Sequence, residues 1–534
     1  MISIERYLGS GIIKGVGEAL AKRIVKKFKM DSLRIIQEEP ERLAEVKGIS
    51  ERKARDIAVS YNEKKEMQDA LMFLTGLNIP VNLAVKIYNE YGDEVYDIVR
   101  TNPYKIAEDI TGVGFRTADE IADRLGIGRD SDFRVRAAIM YALSGANGLG
   151  HMYIPQKMLV DKTYSLLMNE YMPYDPELEM SICNQILELS VAGKIIIKEL
   201  KDDPDSGELP DVSLDDPVAD IDMDLLDTES ESNVTNAVYA APNYYMELNS
   251  ARLLCELNID FSKAKLKIDK VVETVEKSEN MKLADAQRLA IRNTVDHGIA
   301  VITGGPGTGK TTVLKVILYI HQALCRSEVQ LMAPTGRAAR RMVESTGCEN
   351  ASTMHLALGL LGDDTDFEPD FEYLSAGFLN VDEVSMVDMH LAYEFFRRVS
   401  RHARVLLVGD KNQLPSVGAG DVFRQLIACG LIPVTVLDLV YRQGALSSIP
   451  YNAKLMQENK TNLSFGEDFQ FIACKGADEA AEIVRRIYLD EIAKNGMDQV
   501  QILTPYRKRS AAGVDELNKS LEDFVNPPIA GKKD

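Results

Sequence analysis

The chain has 534 residues, 45% hydrophobic and 27% charged, with a net charge of −20: enough for three or four domains, each with its own core. No apolar run approaches the roughly 18 residues of a membrane span, residues 1–10 lack a signal-peptide layout, and six scattered cysteines form no Cys-x-x-Cys pair, so a cytoplasmic chain without a zinc, iron–sulfur or disulfide framework is expected. The acidity does not exclude nucleic acid, because residues 202–231 alone supply 13 acidic and no basic side chains, leaving −7 for the rest.

Residues 1–136 carry a repeat. Ile13-Lys14-Gly15-Val16-Gly17 followed by Ala21 and Ile24, Val46-Lys47-Gly48-Ile49-Ser50 followed by Ala54 and Ile57, and Ile110-Thr111-Gly112-Val113-Gly114 followed by Ala118 and Ile121 share one spacing. It is that of two short helices joined by a glycine turn. A weaker copy has Asn78 at the glycine position, with Ile79, Ala84 and Ile87 behind it; asparagine is the next-best residue for a left-handed backbone. On a larger scale, Phe28, Ile36, Pro40, Leu43 and Gly48 recur as Tyr91, Val99, Pro103, Ile106 and Gly112, 63 or 64 residues on, which predicts a duplicated pair of hairpins.

Each turn exposes consecutive N–H groups at a helix start, a seat for a DNA phosphate that ignores base identity, so Gly15, Gly17, Gly48, Gly112 and Gly114 are candidate DNA contacts. Basic residues gather on the first copy (Lys14, Lys22, Arg23, Lys26, Lys27, Lys29) and after the last (Arg124, Arg129, Arg134, Arg136). The repeats resemble the helix-hairpin-helix motif of DNA-binding proteins. Such hairpins also serve as plain packing units, and a charge run is often only a solvated face.

Residues 137–200 read as a small helical domain with a β element near 193–197, winged-helix-like in outline. The acidic stretch 201–233 has too few apolar residues for a core and reads as a disordered insertion. A helical connector is expected over 234–278. From 279 to 445, apolar runs at 299–303, 329–334, 378–382, 404–409 and 433–437 alternate with helix-length segments, the pattern of an α/β domain with a parallel sheet covered on both faces. A further run at 499–505 is expected to be a strand of a second, similar domain spanning 446–534.

Within the α/β domain, Val301 to Thr312 reads VITGGPGTGKTT and fits the phosphate-binding loop G-x-x-x-x-G-K-[ST], placed between a strand and a helix. Gly305, Pro306, Gly307, Thr308, Gly309, Lys310, Thr311 and Thr312 would cradle a nucleotide triphosphate: backbone N–H groups face the anion, Lys310 reaches the β- and γ-phosphates, and the Thr311 hydroxyl ligates Mg²⁺. The run 378–381 ends in Asp382-Glu383, where an aspartate holds Mg²⁺ and the next carboxylate activates water. Gln413, after the run 404–409, is placed to sense the γ-phosphate, and Arg442 to stabilise charge on the transferring phosphoryl group. An arginine near a strand end is also commonly a salt-bridge partner.

The segments Leu283-Ala284-Asp285-Ala286-Gln287, GGPGTGKTT, Ala333-Pro334-Thr335-Gly336-Arg337-Ala338-Ala339, Ser352-Thr353-Met354-His355, Val381-Asp382-Glu383-Val384-Ser385-Met386-Val387-Asp388, 409–415, Tyr441-Arg442-Gln443 and Leu503-Thr504-Pro505-Tyr506-Arg507 follow one another in the order of helicase motifs. Together they resemble superfamily 1B DNA helicases of the RecD-like family, whose stand-alone bacterial members carry helix-hairpin-helix repeats ahead of the motor. The resemblance implies a RecA-like sheet, Gln287 as a reader of adenine, ATP and Mg²⁺ as ligands, and 5′-to-3′ movement on single-stranded DNA in repair or recombination. It also implies Pro334, Thr335, Arg337, Thr353 and His355 as strand contacts, and single-strand/duplex junctions as substrates, with a monomer as the default state. The family's later motifs and its small leading β domain are not found. A chain that binds Mg-ATP, hydrolyses it slowly and does not unwind duplex is therefore the expectation, and an ATP-responsive DNA-binding protein without motor activity is the alternative reading.

Overall fold

The computed structural model describes residues 16–110, 113–128, 131–168, 174–201, 234–261, 268–278, 280–322, 327–360, 372–438, 447–508 and 510–525; Gly15, Gly112, Arg442 and the acidic stretch 202–233 lie outside them. Two units divide the chain, residues 1–439 and 440–534.

The duplication is visible in the backbone. Helices α1 (Glu18–Phe28) and α2 (Ser32–Glu38), joined by a 3-10 turn (Lys29–Asp31), precede the long α3 (Glu51–Gly76). They return 63 residues on as α4 (Val81–Tyr91), a turn (Gly92–Glu94) and α5 (Val95–Thr101), followed by α6 (Lys105–Asp109) and α7 (Phe115–Leu125). Even the linking residue matches: Lys29 sits at φ 51°, ψ −122° and Gly92 at φ 53°, ψ −130°. Each copy has its own core, one around Ile24, Ile36, Leu43 and Ile57, the other around Ile87, Val99, Ile106 and Ile121. Asn78 takes the left-handed conformation (φ 62°) that the missing glycine demands. With its amide oxygen turned toward Arg124 it accepts from that guanidinium at 2.7 and 3.1 Å.

Next come α8 (Asp132–Gly148), β1 (Tyr153–Pro155), α9 (Gln156–Leu167), α10 (Pro176–Val191), β2 (Ile195–Lys201) and β3 (Val234–Ala240), with an antiparallel sheet of order β1-β3-β2. This is a winged-helix-like order of elements. Residues 234–240, expected at the head of a helical connector, are instead the central strand, paired with β2 from Ile195↔Ala240 to Lys201↔Val234. The acidic stretch therefore joins the two strands of a hairpin. The strand is hard to read because it abuts the acidic run and passes directly into α11 (Ala241–Leu257). Two of the arginines counted with the basic patch prove to be internal braces. Arg134, 8% exposed, holds Asp119 of α7 at 2.7 and 3.0 Å, while Tyr104 donates to the same carboxylate at 2.7 Å; Arg136 bonds Gln185 at 2.5 Å and pairs with Glu188.

The α/β domain adds α12 (Ile268–Ser278), α13 (Asp285–Asp296), β4 (Ile299–Gly304), α14 (Lys310–Ile320), β5 (Val329–Ala333), α15 (Gly336–Thr346), β6 (Ala351–Thr353), α16 (Met354–Ala357), β7 (Phe378–Val381), α17 (Met389–Phe396), β8 (Arg404–Gly409), α18 (Val422–Ala428) and β9 (Val434–Leu437). Its six strands are all parallel, in the order β6-β5-β7-β8-β4-β9. Successive strand residues point to opposite faces: Ile299 and Val301 join Leu379, Val381 and Phe395 on one side, Ala300 and Ile302 join Val313, Ile317 and Leu406 on the other. That is why these strands read as unbroken apolar runs. The edge strand β6 is illegible as a strand from sequence because it is three residues of Ala-Ser-Thr.

One buried group makes this domain acid-sensitive. His321, wholly buried after α14, stacks on Phe378 (ring centroids 4.2 Å apart) with Nδ1 3.3 Å from Ser327 Oγ. Burial, then the nearby Arg404 charge, depresses its pKa from 6.5 to about 3. Because the folded value lies below the unfolded one, the stabilisation is complete above pH 6.5 and is lost as pH falls toward 3. In denaturant titrations across pH 4 to 6, replacing His321 with Gln is expected to flatten the pH dependence of stability by about 1.4 kcal/mol per pH unit.

The second unit contains α19 (Ser448–Gln457), α20 (Ala477–Asn495) and α21 (Val514–Val525). The strand expected at 499–505 is not formed: no ladder exists among the described residues of this unit, and Leu503 is 84% exposed. An extended apolar segment needs a hydrogen-bonded neighbour to become a strand.

Candidate functional site

The strand registers decide where the site lies. Thr303 pairs with Gly409, Val381 with Leu407, Met332 with Val381, and Ala333 with Thr353. The segments leaving β4, β8, β7, β5 and β6 therefore emerge on one edge, the C-terminal edge where open parallel sheets bind ligands.

Leaving β4, the chain turns through Gly307 (φ 80°) and Gly309 (φ 88°) into the N-terminus of α14. Gly304 cannot carry a side chain: its Cβ would lie 2.6 Å from the Leu437 carbonyl oxygen and 2.8 Å from Thr308 Oγ1. Lys310 Nζ donates to the carbonyls of Gly304 and, at 3.0 Å, Gly305, which holds the ammonium over the loop. Thr308 Oγ1 closes the turn onto Gly305 O at 2.9 Å. Thr311 and Thr312 occupy the first turn of α14, with Thr311 exposed and Pro306 at the exposed tip of the loop.

Gln287 sits beside the phosphate loop. It is 5% exposed; its Oε1 accepts from Ala284 N–H at 3.0 Å and its Nε2 lies 3.5 Å from Thr308 O. Both ends of the amide face the backbone, and through them Gln287 is tied to the start of α13 and to the phosphate loop.

Asp382 and Glu383 follow β7. Asp382 is pushed up to about 6, first by burial and then by the adjacent Glu383 charge, with Lys310 and Arg341 pulling the other way. That Lys310 acts on Asp382 places loop and carboxylate in one electrostatic neighbourhood. Glu383 takes a left-handed conformation (φ 55°), and its N–H donates to Asp382 Oδ1 at 3.0 Å. A non-glycine residue held there costs on the order of 1–3 kcal/mol, and nothing in the residue types foretells it. Such strain commonly accumulates where a side chain must be aimed.

Gln413 lies on an exposed turn after β8, where its N–H donates to Asp410 O at 3.1 Å and Asn412 N–H to Asp410 Oδ1 at 3.0 Å. The turn is tied to β4 by Lys411 N–H donating to Thr303 Oγ1 at 3.2 Å. Thr335 and Thr353 cap α15 and α16, each accepting a backbone N–H at 3.3 Å. The site a Cβ on Gly336 would fill is 3.9 Å from Thr353 Cγ2, so Pro334, Thr335, Arg337, Thr353 and His355 share one stretch of the edge, with Arg337 and His355 exposed.

The donor set fits a triphosphate with a hard divalent cation: a glycine loop whose Gly304 leaves no room for a side chain, a lysine, a hydroxyl on the first helical turn and a half-buried acid of raised pKa. Among the described residues no cluster of three or more His, Cys, Asp or Glu could hold a metal by itself.

The hairpin turns are not equivalent. Gly17 is exposed with open space where a Cβ would stand, and Gly48 (φ 101°) is exposed beside Arg23, whose guanidinium donates to Lys47 O. Gly114 is half-buried, 3.8 Å from the Tyr141 ring at its Cβ position, and the next residue, Phe115, packs between Tyr104 and Tyr141. Gly114 thus stands against α8 on its Tyr141 side, whereas Gly17 and Gly48 are open. The exposed Lys47 and Arg52 around the second turn were not singled out from the sequence, although their position beside Gly48 was legible.

Comparison with known proteins agrees with this layout. Residues 8–61 match the SAM-like helix-hairpin-helix tandem family, residues 63–153 the helix-hairpin-helix domain of ATP-dependent RecD2 DNA helicases, and residues 287–419 an AAA domain. The chain is 29% identical to the ATP-dependent RecD2 DNA helicase of Deinococcus radiodurans, over 97% of its own length and 67% of the relative's. It is 33% identical to the RecBCD enzyme subunit RecD of Haemophilus influenzae, over 30% of this chain and 29% of that one. The crystal structure of Pif1 helicase from Candida albicans aligns with 39% of this chain and 55% of its own, at 18% identity and a TM-score of 0.28. No helix among the described residues is long and apolar enough to cross a membrane.

Proposed function

Because the chain is RecD-like, with helix-hairpin-helix repeats ahead of a P-loop domain, we propose that it acts as an ATP-dependent DNA helicase that moves 5′ to 3′ on single-stranded DNA, at single-strand/duplex junctions, in repair or recombination. The observation that carries the reading is the shared sheet edge, where Lys310, Asp382 and Glu383 stand beside the strand-contact residues Arg337, Thr353 and His355.

Lys310 and the N–H groups opening α14 bind the β- and γ-phosphates, while Thr311 and Asp382 hold Mg²⁺. The metal supplies charge neutralisation on the phosphate oxygens. Glu383 orients the attacking water and accepts its proton, and Gln413 reports whether the γ-phosphate is present. Arg442 would stabilise the transferring group, although it lies outside the described residues.

DNA is held at two places. Thr335, Arg337, Thr353 and His355 line the motor edge with Pro334; Gly17 and Gly48 offer exposed turns to phosphates, with Lys22, Lys26, Lys47 and Arg52 around them. Such contacts should be blind to sequence and sensitive to salt. Replacing Lys47 and Arg52 with Ala is expected to weaken single-stranded DNA binding uniformly across sequences and to lower the salt dependence of log K by about one unit for each phosphate no longer neutralised. Replacing Arg116, which follows the half-buried Gly114, should leave both unchanged. Fluorescence anisotropy against salt concentration distinguishes the outcomes. Equal losses in the two variants would refute the division between the copies.

A further inference from the structure

We propose that residues 415–420 form a strut that carries the nucleotide state from the γ-phosphate sensor to the corner between α8 and β1 of the winged-helix-like domain. The strut depends on Gln413 acting as that sensor and gives its signal a second destination.

The strut begins two residues after Gln413. At its near end, Leu414 and Val417 are 85% and 94% exposed, so no described residue of the first unit covers the turn from outside. From there the segment is gripped on three sides. Ser416 Oγ is 3.0 Å from Gly418 O and 3.1 Å from Gly420 O, which winds the segment onto itself. Asp388, six residues beyond Asp382, fills the space beside Gly418: a Cβ there would fall 2.1 Å from Asp388 Oδ2. Met389 N–H donates to Ala419 O at 2.9 Å. On the opposite flank, Gly420 N–H donates to Gly150 O at 2.9 Å. Gly420 stands at φ 97°, and a Cβ on it would lie 2.8 Å from Met389 Cβ and 3.3 Å from Met152 Sδ.

The segment after the acidic pair, the sensor loop and the α8–β1 corner are thus joined by backbone hydrogen bonds, and the strut's own glycines, Gly418 and Gly420, leave no room for a side chain. A rigid three-way joint transmits displacement, because close-packed contacts rearrange as units and do not stretch. Space to move lies alongside: a cavity of about 380 Å³ lined in part by Asn147, Met152, Asn243, Met246, Asp388 and Met389. Two of its walls are α8 and α11 and a third is the start of α17, so the corner can shift without breaking the core that α11 shares with α17. The consequence is a nucleotide signal delivered into the DNA-binding half of the first unit by contacts wholly within residues 1–439.

The test is hydrogen exchange at residues 148–152, with and without Mg²⁺ and a non-hydrolysable ATP analogue. In the wild-type chain, exchange there should change by about fivefold or more on nucleotide binding, the lower end of ordinary coupling between sites. In Gly420→Ala the analogue should still bind within about threefold while the change at 148–152 disappears. Met152→Ala loosens the joint from the other side and should reduce the change, with Met152→Leu restoring it; this pair keeps the test decisive should Gly420→Ala fold poorly. Persistence of the full change in both Gly420→Ala and Met152→Ala overturns the strut, as does wild-type protein that binds nucleotide with no response at 148–152. Wild-type protein that binds no nucleotide removes the functional reading itself, and the strut with it.

Discussion

Replacing Lys310 with Ala is expected to lower DNA-stimulated phosphate release by two to three orders of magnitude, the scale of losing one pre-aimed charge on a phosphoryl group. The ammonium is held over the loop by the Gly304 and Gly305 carbonyls, so the loss falls on a group already in position. DNA affinity without nucleotide should stay within about twofold, since no proposed DNA contact touches this side chain. The same variant separates the two readings. If the wild-type chain releases phosphate and Lys310→Ala does not, the enzyme reading stands. If the wild-type chain releases none, but a bound ATP analogue alters its DNA affinity and Lys310→Ala abolishes that effect, ATP is acting as a conformational ligand alone.

Glu383→Gln is expected to show the complementary pattern: nucleotide binding close to wild type, with hydrolysis reduced by about two to four orders of magnitude. Gln has the same shape and removes only the ability to take a proton. The backbone N–H of residue 383 still reaches Asp382 Oδ1, so the orientation of the Asp382 carboxylate is retained. Asp382→Asn should instead weaken Mg²⁺-dependent nucleotide binding, because its carboxyl is the one proposed to meet the cation. Equilibrium binding of a fluorescent nucleotide, beside single-turnover hydrolysis, distinguishes the two variants. Near-normal turnover by Glu383→Gln would show that another group activates the water.

What the sequence made legible follows from how local each feature is. The phosphate loop, the acidic pair and the hairpin turns are each specified by a few consecutive residues whose backbone demands are peculiar: glycines at positive φ, a carboxylate at a strand end. The parallel strands were legible because burial on both faces leaves them apolar throughout. The features that stayed hidden are set by partners distant in the chain. Residues 234–240 become a strand only because β1 and β2 flank them, and residues 499–505, read from the sequence as a strand, form none where no partner is in place among the described residues. Gly114 could not be told from Gly17 by its neighbours, since only the packing of Tyr141 separates a half-buried glycine from an exposed one. The backbone contacts of Gln287 with Ala284 and Thr308 were likewise not legible from the motif. The left-handed backbone of Glu383 leaves no mark on residue type at all.

The matched linkers at Lys29 and Gly92 reveal what each repeat imposes on its own chain. A lysine there adopts dihedral angles that suit glycine, within about ten degrees of its counterpart. The bend is therefore dictated by the helices on either side, whose apolar faces must meet, and the residue at the apex submits to it. In one repeat the hinge residue and the fold agree, whereas in the other they are at odds and the fold prevails.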